Sequence, residues 1–217
     1  MKLAFVGGTG PEGLGLAMRM AAAGHTIAVG SRSAERGEEA ALKIRAAVPG
    51  ANATGAANAD AVAGADVVFL TFPYSGQEST LAALKDVLTG KIVCNVVAPL
   101  EFQQGVGAVA LDVAGGSAAQ EAAAQLPGSQ VVSAFQNLAA EKLMHLETPV
   151  EADVLVCGRD KDAKQVVIDL ANQIDGVRGL DGGGLSQSRY VEMLTSLLIN
   201  INRRYKTESS IRIMGID

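Results

Sequence analysis

The chain has 217 residues, 48% of them hydrophobic, with 18 lysines and arginines against 23 aspartates and glutamates. That length holds one generous domain or a domain with a smaller appendage. A net charge of −5 speaks against a nucleic-acid partner, and 4% aromatics with no tryptophan leave few platforms for stacking single-stranded bases.

Residues 3–6 form a short apolar run ending at glycines, as expected of a first parallel strand buried on both faces. Gly8-Thr9-Gly10-Pro11-Glu12-Gly13 then supplies G-x-G-x-x-G, and residues 14–23 continue as an apolar, alanine-rich helix. Gly8 is expected to allow the tight turn, Gly10 the approach of a pyrophosphate, and Gly13 close helix–strand packing. The helix start aims free N–H groups and its positive dipole end at that pyrophosphate. Gly24-His25 closes the helix and residues 26–29 are a second strand. Strand, turn, helix and strand fit the roughly thirty residues of a βαβ unit, so the motif is read as a dinucleotide site.

The end of the second strand selects the coenzyme. A site for NAD usually places Asp or Glu there to hold the ribose hydroxyls. This chain has Ser31 and Arg32, with Arg36 four residues further on. A hydroxyl donor and guanidinium groups bind a 2′-phosphate that a carboxylate would repel. The expected coenzyme is therefore NADP(H), with Thr9 able to add a hydroxyl from the turn.

The alternation of helices and strands continues. Helices are expected near 34–47, 60–64, 76–88, 117–126, 160–174 and 186–205, and strands at 65–71, 91–96, 131–135, 153–157 and 176–180, with a weak strand or loop at 52–58. Asp160 is the expected cap of its helix, residues 98–100 a strand-end loop, and Gly182-Gly183-Gly184 a flexible break. The fold class is α/β, a Rossmann-type doubly wound, mostly parallel sheet, with residues 1–140 as the NADP-binding domain and 141–217 as a small C-terminal α/β region completing the second-substrate site. Ligands in such sheets lie beyond the carboxyl ends of the strands, which brings in the loops at 71–74, 96–100 and 135–140. Tyr74 is placed to pack against the coenzyme and Ala98 to leave room for it. The last helix has an apolar face through Val191, Leu194, Leu198 and Ile201, widened by Met193, Leu197 and Ile199. That face suits packing on the coenzyme domain or in a homodimer.

Cys94 and Cys157 lie in apolar segments without a C-x-x-C pattern and read as buried free thiols. His25 and His145 have no metal-ligand spacing, so no metal site is expected. No stretch reaches about eighteen uninterrupted apolar residues, and the N-terminal run is too short for a signal peptide; a cytoplasmic protein without a membrane partner is expected.

Gly7-Gly8-Thr9-Gly10, Gly24-His25, Val29-Gly30-Ser31-Arg32, Ser133-Ala134, Val156-Cys157-Gly158, Ile174-Asp175-Gly176 and Leu185-Ser186-Gln187-Ser188-Arg189 together resemble the NADPH-dependent reductases of coenzyme F420, an 8-hydroxy-5-deazaflavin. The resemblance runs in order over essentially the whole chain. It implies that Thr9, Gly10, Pro11 and Glu12 hold the coenzyme phosphates, that Ser31, Arg32 and Arg36 hold the 2′-phosphate, and that Tyr74, Ala98 and Ala140 make further NADP contacts. Gln136 stands where archaeal members carry a histidine; with Leu138 it is expected beside the second ring. The implied reaction is reversible hydride transfer between nicotinamide C4 and deazaflavin C5, with no residue serving as an essential catalyst for the hydride itself. Two further readings are an NADPH-dependent reductase of another acceptor, a flavin or ferric chelate, and a non-catalytic NADPH-binding sensor.

Overall fold

The computed structural model describes residues 1–216. Its first half-unit runs β1 (Lys2–Val6), α1 (Pro11–Ala22), β2 (Thr26–Ser31), α2 (Ala34–Ala47), β3 (Ala53–Ala57) and α3 (Asn58–Val62). The second runs β4 (Val67–Leu70), α4 (Gln77–Leu88), β5 (Ile92–Asn95), a hairpin of β6 (Leu100–Gln103) and β7 (Gly107–Ala110), α5 (Ala118–Gln125) and β8 (Gln130–Ser133). Then follow α6 (Ala140–Met144), β9 (Ala152–Gly158), α7 (Lys161–Ala171), β10 (Val177–Gly183) and α8 (Ser188–Tyr205).

One eight-stranded sheet has the order β10-β9-β8-β5-β4-β1-β2-β3. All its pairings are parallel except that between β8 and β9. The strands after residue 140 thus extend the same sheet, with one reversal of direction where they join it.

The central strands show no polar alternation because both faces are covered. Leu3, Phe5, Val67 and Phe69 point into one layer with α1, α2 and α7. Ala4, Val6, Val68 and Leu70 point into the other, under α3, α4 and α5. Phe5 and Phe69 are register partners whose rings stack at 4.7 Å between centroids, and Phe135 joins them at 5.8 Å.

Helix α1 is buried almost all round because α6 covers its outer side. A Cβ on Gly15 would meet the Leu143 Cβ at 2.6 Å, so only glycine admits this approach. Arg19, 5% exposed, completes the joint. Its guanidinium donates to the carbonyls of Lys142 (2.8 Å), Leu143 (2.9 Å), His145 (2.6 Å), Leu146 (3.4 Å) and Thr148 (3.0 Å).

The segment after α8 is also held. Lys206 takes a left-handed conformation (φ 51°) at the helix end, and the Ser209 N–H donates to Asn202 Oδ1 at 2.6 Å. Further on, the fully buried Asp153 carboxylate on β9 accepts from the Ile213 N–H at 2.6 Å and from Arg178 at 2.9 Å. Arg178, and then the Ile213 N–H and Arg212, hold that carboxyl below its ordinary range against the opposing effect of burial.

Several elements differ from the sequence expectation. The 98–100 loop opens a two-stranded hairpin, and α6 is an additional helix. Residues 52–58 contain a true edge strand, β3. The Gly182-Gly183-Gly184 segment is partly ordered: β10 runs to Gly183 through a register shift, where the Asp181 carboxylate accepts from the Gly183 N–H (2.8 Å) and from Lys164 (2.6 Å). Cys94 and Cys157 are free and buried. Among the described residues no helix is long and apolar enough to cross a membrane.

Candidate functional site

The glycine turn leaves β1 where its neighbours diverge, β2 on one side and β4 on the other, which is the switch point at which open α/β sheets bind ligands. The left-handed residue of the turn is Gly7 (φ 73°), one position before the expected Gly8. Gly8 instead serves close packing: its N–H lies 3.2 Å from the carbonyls of Phe5 and Gly30, tying the turn to the end of β2. At Gly13 a Cβ would come 2.5 Å from Thr71 Oγ1, the helix–strand approach foreseen there. Beside Gly10 there is open space. Helix α1 begins at Pro11 with Gly10 as its cap residue and no capping side chain, so its first-turn amides remain available to an anion.

Ser31 is the last residue of β2 and is 6% exposed. Arg32 and Arg36 are exposed, and neither guanidinium has a partner among the described residues. Ser33 caps α2 by accepting from the Arg36 N–H at 3.4 Å, which fixes Arg36 in the first turn, one helical turn beyond Arg32. Thus two free cations and a hydroxyl stand at the end of β2. Asn58 on α3 reaches back to the turn, its Oδ1 accepting from the Gly7 N–H at 3.4 Å; no motif in the sequence marks it.

A cavity of about 440 Å³ opens next to α1. Five of the expected site residues line it: Glu12, Ala98, Gln136, Leu138 and Ala140. Asn137, from the 135–140 loop expected at the site, and Leu198, from the apolar face of α8, also line it, together with Thr195 of α8 and Ser209 beyond it, which were not anticipated. Tyr74 lies elsewhere, its hydroxyl donating to Glu121 at 2.8 Å beside a separate cavity lined by Gln77 and Glu78. Burial and the neighbouring Glu121 push its phenol up to about 12.

Four buried side-chain polar atoms among the described residues have no hydrogen-bond partner: Glu12 Oε1, Gln136 Oε1, Asn137 Oδ1 and Ser209 Oγ. All four belong to residues lining this cavity. Buried polar groups left unpaired cost about 1–3 kcal/mol each, so their concentration at one place marks a site built for a polar-edged ligand. The amides are fixed from behind. Gln136 Nε2 donates to the Asn95 carbonyl (2.9 Å) and Ser133 Oγ (2.7 Å), and Asn137 Nδ2 donates to the Asp153 carbonyl (2.7 Å), so only the oxygens are left to accept. The backbone that presents them is strained: Phe135, fully buried, has φ 76°, a conformation that a bulky residue holds only when its surroundings enforce it. Thr195 Oγ1 donates to the Gln136 carbonyl at 3.0 Å and locks this segment to α8.

Glu12 is the second residue of α1. The helix dipole there favours an anion, yet burial prevails and raises its carboxyl to about 8. The other titratable residues lining the cavity, Glu141 and Glu208, are also acids.

A family model described as coenzyme F420-dependent NADP oxidoreductase matches residues 2–99. An F420-dependent NADP reductase of Methanocaldococcus jannaschii is 45% identical, with 100% of each chain covered. One of Methanothermobacter thermautotrophicus is 42% identical, over 100% of this chain and 96% of the relative. Among solved structures, a protein of Arthrobacter sp. FB24, named as a candidate F420-dependent NADP reductase, superposes with a TM-score of 0.84 at 25% identity, covering 100% of both chains. A match of this identity, sustained from the glycine turn to the last helix and its tail, fixes the family: the chain belongs to the F420-dependent NADP reductases.

Proposed function

We propose that this protein transfers a hydride reversibly between NADP(H) and the deazaflavin coenzyme F420. The first half-unit holds the coenzyme: amides of the 8–13 turn take the pyrophosphate, and Ser31, Arg32 and Arg36 take the 2′-phosphate. The cavity beside α1 takes the two flat rings. The observation that carries this reading is the pair of fixed, unpaired amide oxygens on Gln136 and Asn137. Such acceptors suit ring edges that bear N–H groups, as the nicotinamide carboxamide and the imide edge of a deazaflavin do.

Val96, Ala98, Leu138 and Leu198 form the apolar part of the wall. With both rings bound, this surface would keep water from them and hold them within reach of each other, replacing an encounter by a positioned step. Gln136 hydrogen-bonds but does not titrate, so it orients without carrying charge.

The protein also acts as a homodimer in this reading. Phe102 and Val106 of the hairpin and Tyr190, Met193 and Leu197 of α8 are large, exposed and apolar. Light scattering on a sizing column tests this; a monomer at micromolar concentration would refute it.

Mixing the protein with NADPH and coenzyme F420 and following the oxidised deazaflavin absorbance tests the reaction, with NADH and FMN as parallel partners. Bleaching with NADPH and F420 alone is expected. Turnover of FMN without turnover of F420 would move the acceptor to the flavins, and tight NADPH binding with no acceptor at all would indicate a sensor.

A further inference from the structure

The glycine turn carries a carboxyl group where it meets the ring cavity. Glu12 lies in the first turn of α1, its Oε1 sealed from water and without a partner, and its side chain lines the same cavity as the unpaired oxygens of Gln136 and Asn137. Gln136 and Asn137 are 5% and 1% exposed, so this end of the cavity is closed. The other ionisable side chains lining the cavity are Glu141 from α6 and Glu208 from the segment after α8; among the described residues no Lys, Arg or His lines it. Only the dipole of α1 favours a carboxylate there, and burial outweighs it and moves the carboxyl up to about 8. A diphosphate arriving at the turn adds negative charge and moves it further in the same direction. Near neutral pH Glu12 is therefore a neutral acid.

The chemistry of the proposed reaction requires a proton. Reducing the deazaflavin consumes NADPH and one proton. The nicotinamide C4–H bond breaks as a C–H bond forms at the deazaflavin C5, and the displaced electron pair ends on a nitrogen of the conjugated pyrimidine ring, which takes the proton. Amides cannot supply it. Glu141 is exposed and Glu208 lies on the segment after α8, whereas Glu12 springs from the turn proposed to position the coenzyme itself.

We propose that Glu12 is the proton donor to the acceptor ring, losing its O–H proton as the ring nitrogen gains it, recovering it from solvent between turnovers, and acting as the base in the reverse direction. This rests on the hydride-transfer reading above.

The test is Glu12→Gln in the full chain, with kcat and KM measured from pH 6 to 9.5. The wild-type kcat/KM should fall as pH rises through about 8, and kcat at a higher pH because the bound coenzyme raises the carboxyl further. The variant should lose roughly 10²-fold in kcat, the usual scale of a positioned acid. Its KM for NADPH should stay within about threefold, since an isosteric neutral amide resembles the neutral acid, and the fall in rate through pH 8 should disappear. A second readout does not depend on turnover: calorimetry of NADP⁺ binding at pH 8.5 in buffers of different ionisation enthalpy. The wild type should take up a fraction of a proton and the variant none.

An unchanged kcat, or a lowered kcat with the wild-type pH profile retained, overturns the proposal, as does equal proton uptake by both proteins. A wild type that binds NADP⁺ with Glu12-dependent proton uptake but leaves F420 untouched overturns the acceptor and with it the proton's destination. That result is distinct from an active enzyme indifferent to Glu12.

Discussion

Replacing Arg19 by methionine would release α6 from α1. The methionine keeps the apolar stem but removes every donor from the five carbonyls of residues 142–148 that the guanidinium binds at 2.6 to 3.4 Å. The outer carbonyls can turn to water. If two or three remain sealed, at about 1–3 kcal/mol each, the loss is about 5 kcal/mol. That is a third or more of the roughly 5–15 kcal/mol that stabilises a domain, and at about 2–4 °C per kcal/mol it lowers Tm by roughly 10–20 °C. The wall residues Leu138 and Ala140 precede or open the released segment, so the KM for the acceptor should rise while NADPH binding, built from α1 and β2, is retained. Differential scanning calorimetry gives the first effect, and amide exchange over residues 140–148 gives its location. A Tm within about 3 °C of wild type, with protection unchanged over that segment, would show that the guanidinium cluster is not what holds α6.

Arg32→Ala should raise the KM for NADPH by about tenfold or more and leave that for NADH nearly unchanged, as expected for a lost charge-assisted bond of about 1.5–3 kcal/mol; equal effects on the two coenzymes would remove Arg32 from the 2′-phosphate site. Gly15→Ala places a Cβ within 2.6 Å of Leu143 and should destabilise by about 1–3 kcal/mol, read as a lower urea midpoint; a neutral result would mean that α6 yields freely. Glu12 also predicts how stability varies with pH. Its folded pKa, about 8, lies above the ordinary 4.5, so its contribution is full below the ordinary value and is lost as pH rises through about 8. Glu12→Gln should therefore gain on wild type by about 2 kcal/mol between pH 5 and 9, after allowance for partial exposure of the side chain. A constant difference in Tm over that interval would contradict the shift.

What the sequence revealed and what it hid follow from distance along the chain. The glycine turn and its βαβ unit were legible because their parts are local: an apolar run, spaced glycines and a strand end without a carboxylate all fall within residues 2–36. The α7 cap was legible for the same reason, Asp160 accepting from the Ala163 N–H at 2.8 Å. The ring cavity was only half visible. Gln136 and Leu138 were reached through resemblance, but Asn137 binds Asp153 and Thr195 binds Gln136 across many residues, and no periodicity encodes such contacts. The hairpin was missed because its first strand is mostly exposed, with Phe102 at 72%, so it has no apolar stripe to declare it. Residues 131–135 read as one strand, yet β8 stops at Ser133 and Phe135 turns left-handed, a conformation its side chain disfavours.

The cavity wall draws on residues near both extremities of the sequence, Glu12 and Ser209. On the ribosome the two arrive far apart in time. The turn and both arginines have been made once residue 36 is added, whereas the wall stays open until residue 209 is in place, roughly ten to thirty-five seconds later at ordinary rates of synthesis. The residues proposed to grip the nucleotide and those proposed to shelter the transferred hydride thus leave the ribosome at different moments.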